Sequence, residues 1–361
     1  MPEPFKNLLN DVVVRNIGAR LQAAWPAFDR RGFQRRALEG LDSLELKARA
    51  MHLTSALEST LPPDFASAAD VLERAIAGGL AGWALWPVGE YVARHGQASP
   101  QRGLQLLHAL TPAFTAEWAI RPYIVNHPAL AFETLARWAH DPDPHVRRLV
   151  SEGSRPRLPW GLQLKSLIAD PSPTLPLLET LMDDDSDYVR RSVANHLNDI
   201  AKDHPHLVAE WVERHLPGAS QQRRALLRHA CRSLIKRGDP RVLHAWGQGA
   251  EFRGDVALKL GPRRLALGDS LTLEVTLKPR GRQAQSLVID YAVHHVKANG
   301  STSPKVFKGW ALDLAAGEQR VLRKSHAVRP ITTRRYFSGT HRVEVLVNGK
   351  VAAHAAFELR A

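Results

Sequence analysis

Asp141-Pro-Asp-Pro-His-Val-Arg-Arg-Leu-Val-Ser-Glu152 returns 43 residues later as Asp184-Asp-Ser-Asp-Tyr-Val-Arg-Arg-Ser-Val-Ala-Asn195. A repeat of that length marks a helical solenoid, because one helix pair cannot bury its apolar face alone and must stack on its neighbours. Asp143 and Ser186 stand at equivalent positions as expected N-caps, whose side-chain oxygens take up free helix N–H groups. Val146/Val189 and Val150/Val193 then point into the stack at helical spacing. Arg147 and Arg190 follow the valines and are expected to act as struts between repeats.

Working outward, Asn126-His-Pro-Ala-Leu130 recurs as Asp203-His-Pro-His-Leu207, and both are read as starts of outer helices. Inner helices are expected over roughly 114–125, 143–153 and 186–200. Turn signals at Asp170-Pro171-Ser-Pro173 and Gly238-Asp-Pro240 separate further helices, so residues 1–247 read as one α-helical, HEAT-like repeat superhelix. Residues 248–255 read as a linker from their Gly-rich composition. Beyond them the period changes to two, in 270–278, 286–294 and 340–347. Asn348-Gly349 then turns the chain into Lys350–Leu359, the hairpin signal in which both central residues take positive φ. Residues 256–361 therefore read as an all-β, immunoglobulin-like sandwich without a disulfide.

The chain has 361 residues and a net charge of +13. Residues 256–361 hold 18 Lys/Arg against 7 Asp/Glu, whereas the first 255 residues hold 31 against 29. The excess favours a polyanionic partner and places the electrostatic anchor in the sandwich. Cys231 is the single cysteine, which excludes an internal disulfide and fits a reducing, cytoplasmic setting; it is expected to be a small buried residue. The start Met1-Pro-Glu-Pro-Phe-Lys6 lacks the apolar core of a secretory signal. Ala77–Gly89, the most apolar window, is far short of the ~20 residues of a membrane span. His204/His206 and His294-His295 lack ligand spacing, so no metal is expected; no Gly-rich phosphate loop appears, so no cofactor is expected either.

Helical spacing sorts the polar residues of the inner helices. Glu117 and Arg121 are four apart, Arg148 and Glu152 are four apart, and Arg191, Asn195, Asn198 and Asp199 continue one face. Stacked side by side, these faces would form one wall of three carboxylates among arginines. The plain alternative is solvated surface ion pairs. Trp160 closes the loop Gly153-Ser-Arg-Pro-Arg-Leu-Pro-Trp160, in which Arg155 and Arg157 add cations. Such a Trp either plugs the core or faces a ligand.

The pattern Phe114-Thr-Ala-Glu-Trp-Ala-Ile-Arg-Pro-Tyr123, the block Val146–Trp160, and Tyr188-Val-Arg-Arg-Ser-Val-Ala-Asn-His-Leu-Asn-Asp199 together resemble the AlkC branch of the HEAT-like-repeat alkylation-repair DNA glycosylases. The likeness spans most of residues 4–247, with no departure at the motif positions. The β region also looks like the immunoglobulin-like domain that part of that branch carries. The resemblance implies removal of cationic N-methylated bases, 3-methyladenine and 3-methylcytosine, from duplex DNA without extruding the base. It also implies that Glu117, Glu152 and Asp199 are the acidic site positions, Trp160 the aromatic beside the sugar, and Arg148 the arginine close to the lesion.

The chemistry is coherent apart from the likeness. A methylated cationic base leaves with little acid help, so the demanding species is the oxocarbenium-like sugar, which water must reach at C1′. Carboxylates supply both a fixed negative charge and a base that orients water. A charge pair at ~4 Å contributes on the order of 4 kcal/mol at an effective dielectric of ~20. The order of preference for the water or C1′ role is Asp199, Glu152, Glu117. Arg121, Arg148, Arg155, Arg157 and Arg191, with Asn195 and Asn198, are expected to hold the duplex against these acids. In the sandwich, Lys297-Ala-Asn-Gly-Ser-Thr-Ser-Pro-Lys305 offers slim polar residues (Asn299, Ser301, Ser303) between Lys297 and Lys305, suited to a minor groove. The plain alternative there is a mobile hairpin tip. Lys308, Arg323-Lys324 and Arg334-Arg335 are expected on phosphates. The two parts together would encircle DNA, as a monomer. The rival reading is a non-catalytic HEAT-repeat scaffold that grips DNA structure or a protein partner.

Overall fold

The computed structural model describes residues 4–247, 251–331 and 335–360; linker residues 248–250 and Arg334 lie outside the described residues. The chain forms two compact units, Met1–Asp203 with Gln221–Ala230, and His204–Ser220 with Cys231–Ala361.

The first unit is built of helical repeats. The Pro128–Trp138 helix packs on Pro144–Gly153, which packs on Leu175–Leu181 and Asp187–Asp203, and Gln221–Ala230 packs on Asp187–Asp203. Each copy of the repeat opens the same way. Asp141 Oδ1 accepts the Asp143 N–H and Asp184 Oδ1 accepts the Ser186 N–H, both at 2.9 Å. Asp143 caps its helix through the His145 N–H at 2.7 Å. Val146, Val150, Val189 and Val193 are fully buried. Each such side chain contributes roughly 1.5–3 kcal/mol of burial free energy.

The two arginines that follow the valines differ in role. Arg147 donates to the carbonyls of Asp141 and Pro142 and reaches into the next repeat, where Nε and Nη2 meet the Asp184 carboxylate at 2.6 and 3.0 Å. It is an inter-repeat strut. Arg190 donates to the carbonyls of Asp184 and Asp185 and to Asp187, all in its own repeat.

The helix expected over 114–125 is shorter. Only Arg121–Asn126 is helical; 114–116 are irregular and 117–120 form a turn. Pro122 has no N–H for a helical bond back to Trp118, so a helix can only restart at its own first turn. Upstream, Thr115 Oγ1 accepts the Glu117 N–H at 3.3 Å, a local bond that competes with helix.

The second unit is a two-sheet sandwich carrying the helices Pro205–His215, Arg232–Arg237 and Pro240–Ala245. Pro205–His215 and Arg232–Arg237 both pack on Pro240–Ala245. The strands are β1 (Gly254–Gly261), β2 (Arg264–Ala266), β3 (Ser270–Pro279), β4 (Gln285–Val296), β5 (Thr302–Leu314), β6 (Arg320–Ala327), β7 (Gly339–Val347) and β8 (Lys350–Arg360). One sheet has the order β1-β3-β6 and the other β2-β8-β7-β4-β5, antiparallel except for β2 with β8. β1 begins inside the stretch read as linker, Gly254 pairing with Pro279.

Alternation builds the sandwich core. Leu271, Leu273, Val275 and Leu277 of β3 and Val343, Val345 and Val347 of β7 are buried between the sheets. Asn348 and Gly349 have φ of 49° and 79°, the positive pair that the two-residue turn requires. Asn348 also accepts the Val288 N–H at 2.9 Å, which ties the turn to β4.

Candidate active site

The three carboxylates belong to one alternating row of charges. Glu117 Oε2 accepts from Arg148 Nη1 at 2.6 Å, and Arg148 Nη2 lies 3.5 Å from Glu152 Oε1. Arg155 Nη1 donates to Glu152 Oε1 at 2.6 Å and its Nε to Asp199 Oδ2 at 2.8 Å. Lys202 Nζ ends the row on Asp199 Oδ1 at 2.7 Å. Glu117 comes from the turn before Arg121–Asn126, Glu152 from Pro144–Gly153 and Asp199 from Asp187–Asp203, so three successive segments converge.

The row is sheltered. Glu117, Glu152 and Asp199 are 8%, 6% and 2% exposed. Burial of charge is tolerated here because every carboxylate has a cation and further donors. Ser192 Oγ donates to Glu152 Oε2 at 2.6 Å and Thr115 Oγ1 to Glu117 Oε2 at 2.9 Å. Burial is the largest influence on Arg148 and Arg155 and pulls their pKa values down. The neighbouring acids outweigh it, and both stay above the ordinary arginine value. Arg148 also lies over the Tyr188 ring, 5.2 Å from its centroid.

His196 sits beneath the row, fully buried. Its Nδ1 lies 2.9 Å from the Ser151 carbonyl, which can only accept, so Nδ1 carries the proton. Burial, the dominant cause, takes its pKa down to about 4, and the ring is neutral near pH 7. The bond joins the Glu152 helix to the Asp199 helix one residue from the first acid and three from the second.

Trp160 faces outward, at 62% exposure, which decides between core plug and exposed wall. Its φ is 63°, a left-handed conformation that costs a bulky residue about 1–3 kcal/mol and is kept only where its surroundings enforce it. Behind it Trp118 donates Nε1–H to the Pro159 carbonyl at 3.3 Å and stacks on Trp86, with ring centroids 4.7 Å apart.

Several expected DNA contacts are placed differently. Arg121 is fully buried and donates to the carbonyls of Leu162 (2.5 Å), Gly153 (2.8 Å) and Pro156 (3.5 Å). It therefore faces the interior, because Glu117 and Arg121 do not share a helix. Burial lowers its pKa to about 10, with Arg155 adding to the effect, and it remains charged near neutrality. Arg155 is buried between its two acids, and Asn198 is 6% exposed. Arg157 is half-buried and grips Asp203 through two 2.8 Å bonds. Asn195 accepts from His229 at 2.9 Å. Arg191 is exposed on a groove of about 290 Å³ that it lines with Gln221, Gln222 and His229.

In the sandwich, only 297–301 is turn, because β5 starts at Thr302. Lys297, Asn299, Ser301 and Lys305 are exposed and Ser303 half-buried. Asn299 Oδ1 takes the Ser301 N–H and Oγ–H at 3.1 and 2.7 Å, so the tip is an ordered turn. Lys305 and Ser303 stand on β5, opposite Val293 and His295.

The sequence reading missed Lys202, Ser192, Thr115 and Tyr188. Lys202 follows Asp199 by three residues, a spacing that itself predicts a pair. Ser192 replaces Leu149 of the first copy at a buried position, and a polar residue at a core position of a repeat signals a partner. Thr115 and Tyr188 carry no comparable signal. Among the described residues no three His, Cys, Asp or Glu side chains are disposed to hold a metal ion, and no helix is long and apolar enough to cross a membrane.

Two family models match this chain. Residues 114–234 match the model described as DNA alkylation repair enzyme, and residues 255–361 match the model described as the C-terminal Ig-like domain of uncharacterised protein YhaZ. The helical site thus falls in the class of DNA alkylation repair enzymes. Over 359 residues the chain is 34% identical to YhaZ of Bacillus subtilis (strain 168), covering 98% of this chain and 99% of the relative. The solved structure of Pseudomonas fluorescens alkylpurine DNA glycosylase AlkC bound to DNA containing an abasic site analog matches with a TM-score of 0.93 and 37% identity, covering 99% of this chain and 100% of that one. This chain belongs to the AlkC family of HEAT-like-repeat alkylation-repair DNA glycosylases.

Proposed function

We propose that this protein is a base-excision-repair glycosylase that hydrolyses the N-glycosidic bond of cationic alkylated bases, 3-methyladenine and 3-methylcytosine, in duplex DNA and leaves an abasic site. The single observation that carries the reading is the row Glu117–Arg148–Glu152–Arg155–Asp199, with the exposed Trp160 on the loop that leaves the Glu152 helix. The abasic-site DNA bound by the Pseudomonas fluorescens enzyme supports a DNA partner.

The leaving base already carries positive charge, so the barrier lies in the cationic sugar. Of the three acids Asp199 is the best placed to meet it. Its Oδ2 is held by buried Arg155, whereas its Oδ1 is covered by Lys202, whose side chain is about half exposed. DNA phosphate competes for such a lysine and uncovers Oδ1 for the sugar or for an attacking water. Glu152 and Glu117 have no such exposed counter-ion among their bonds; they hold the arginines in place and add to the local negative potential. Trp160 offers its ring to the cationic sugar, an attraction of ~1–2 kcal/mol.

Phosphate contacts come from exposed Arg191, from Arg157 in exchange with Asp203, and from the sandwich turn Lys297–Ser301 with Lys305, Lys308 and Arg335. The test is to incubate the protein with methylated duplex DNA and identify freed bases by mass. The native protein is expected to release 3-methyladenine and 3-methylcytosine, and Asp199→Asn to do so at least ~100-fold more slowly in single turnover. Absence of any freed base from N-methylated DNA would end the reading.

A further inference from the structure

The geometry points to Arg121 as a positioning residue for Trp160: its buried guanidinium straps the loop Ser154–Leu164 so that the Trp160 ring is presented to substrate. The inference rests on the role given to Trp160 above.

Three observations carry it. First, Arg121 spans the loop. Its Nη1 holds the Gly153 carbonyl where the helix ends, Nη2 points at Pro156 and Nε holds Leu162, two residues beyond Trp160. Carbonyls turned inward from a loop need donors, and one planar guanidinium with five N–H groups in a fixed fork supplies three of them. Second, the fit around it is close. A Cβ on Gly161 would meet Arg121 Cδ and Nε at 3.3 Å, so the backbone next to Trp160 rests on the arginine stem. Third, Trp160 itself holds a left-handed backbone that its own side chain disfavours. Such a conformation persists only while the flanking residues are fixed, and Arg121 fixes both flanks. Trp118, three residues before Arg121, holds the intervening Pro159 carbonyl. Among the described residues no acid lies within bonding distance of Arg121, unlike Arg148 and Arg155, and its hydrogen-bond partners are backbone carbonyls of the loop.

Single-turnover base release is measured for native protein, Arg121→Met, Arg121→Lys, Trp160→Ala and the Arg121→Met/Trp160→Ala double variant. Affinity for duplex carrying an abasic-site analogue and hydrogen exchange of amides 155–164 are measured alongside. Arg121→Met is expected to slow release ~10–100-fold, the range for a misplaced group, with affinity changed less than about threefold. Arg121→Lys recovers part of the rate, because an ammonium still holds one carbonyl. The double variant is no slower than Trp160→Ala beyond about twofold, since the two residues act as one unit. Loop amides exchange faster in both Arg121 variants.

Should Arg121→Met fail to fold, Trp118→Phe provides a milder break of the same strap. It removes the Pro159 bond while keeping a ring on Trp86, and is expected to slow release a few-fold with the same non-additivity. Full multiplicative losses in the double variant, or faster loop exchange with an unchanged rate, would overturn the inference. A native protein that frees no base would instead overturn the glycosylase reading, and the exchange data would still report on the strap.

Discussion

Glu152 and Asp199 share one guanidinium: Arg155 reaches the first at 2.6 Å and the second at 2.8 Å, and all three groups are buried. A shared cation fixes the spacing of the two acids more rigidly than separate partners would, since neither can move without weakening the other's bond. Removing it leaves Glu152 with Arg148 at 3.5 Å and Asp199 with the half-exposed Lys202 as their remaining cations in a sheltered site. Arg155→Met is expected to destabilise the helical unit by about 3–5 kcal/mol, read from urea denaturation. The double variant Arg155→Met/Glu152→Gln should recover part of the loss. A loss under about 1 kcal/mol would mean that water already screens the row.

Lys202 differs from the other cations of the row in being accessible. In competition for Asp199 it opposes a cationic sugar, yet its exposure limits that opposition. Lys202→Met is therefore expected to raise the single-turnover rate on saturating 3-methyladenine DNA a few-fold, while DNA affinity falls modestly and its salt dependence becomes shallower by about one phosphate contact. A tenfold fall in rate would show that the ammonium takes part in the chemistry.

The repeat made the Glu152 and Asp199 helices legible, because a 43-residue period with matching caps and valines fixes both frames at once. The strong alternation of β3, β4, β7 and β8 was equally plain, as was the Asn348-Gly349 turn. β1, β2, β5 and β6 were not: β5 carries Pro304, Lys305 and Lys308 at an edge, where one face need not be apolar. The fate of Arg121 was hidden for a different reason. Its helical spacing from Glu117 was real in sequence, but the chain before Pro122 follows turns, and spacing has meaning only on a continuous helix. Arg157 and Asp203 stand 46 residues apart, a separation at which no local rule pairs them.

Two buried histidines make stability depend on pH. Burial holds His341 in the sandwich below its ordinary value of 6.5 and takes His196 down to about 4. In the unfolded chain both bind protons near pH 6.5, so the unfolded state gains protons first as the solution is acidified. Their contribution is complete above pH 6.5 and is lost as pH falls through the folded values, on the order of 3 kcal/mol for His196. Unfolding free energies at pH 7.5, 6.5, 5.5 and 4.5 should fall steadily, and His341→Phe should flatten the part belonging to the sandwich. Stability that is constant across this window would refute the assignment.

Gly238 and Gly349 meet backbone to backbone. Gly238 ends the Arg232–Arg237 helix with φ 75°, and Gly349 turns β7 into β8 with φ 79°. A Cβ on Gly349 would lie 2.4 Å from Gly238 Cα, and one on Gly238 would lie 2.7 Å from Gly349 Cα. Gly300 provides the control, having φ 77° with nothing within 4 Å of a Cβ. Gly300→Ala is expected to cost only the left-handed backbone penalty of about 1–2 kcal/mol. Gly349→Ala bears the same penalty and must in addition push the hairpin off the helix end. The excess, expected at about 1–3 kcal/mol in chemical denaturation, measures how firmly this helix is docked on the sandwich. Equal losses for the two substitutions would show that the contact yields freely and that the helix is held elsewhere.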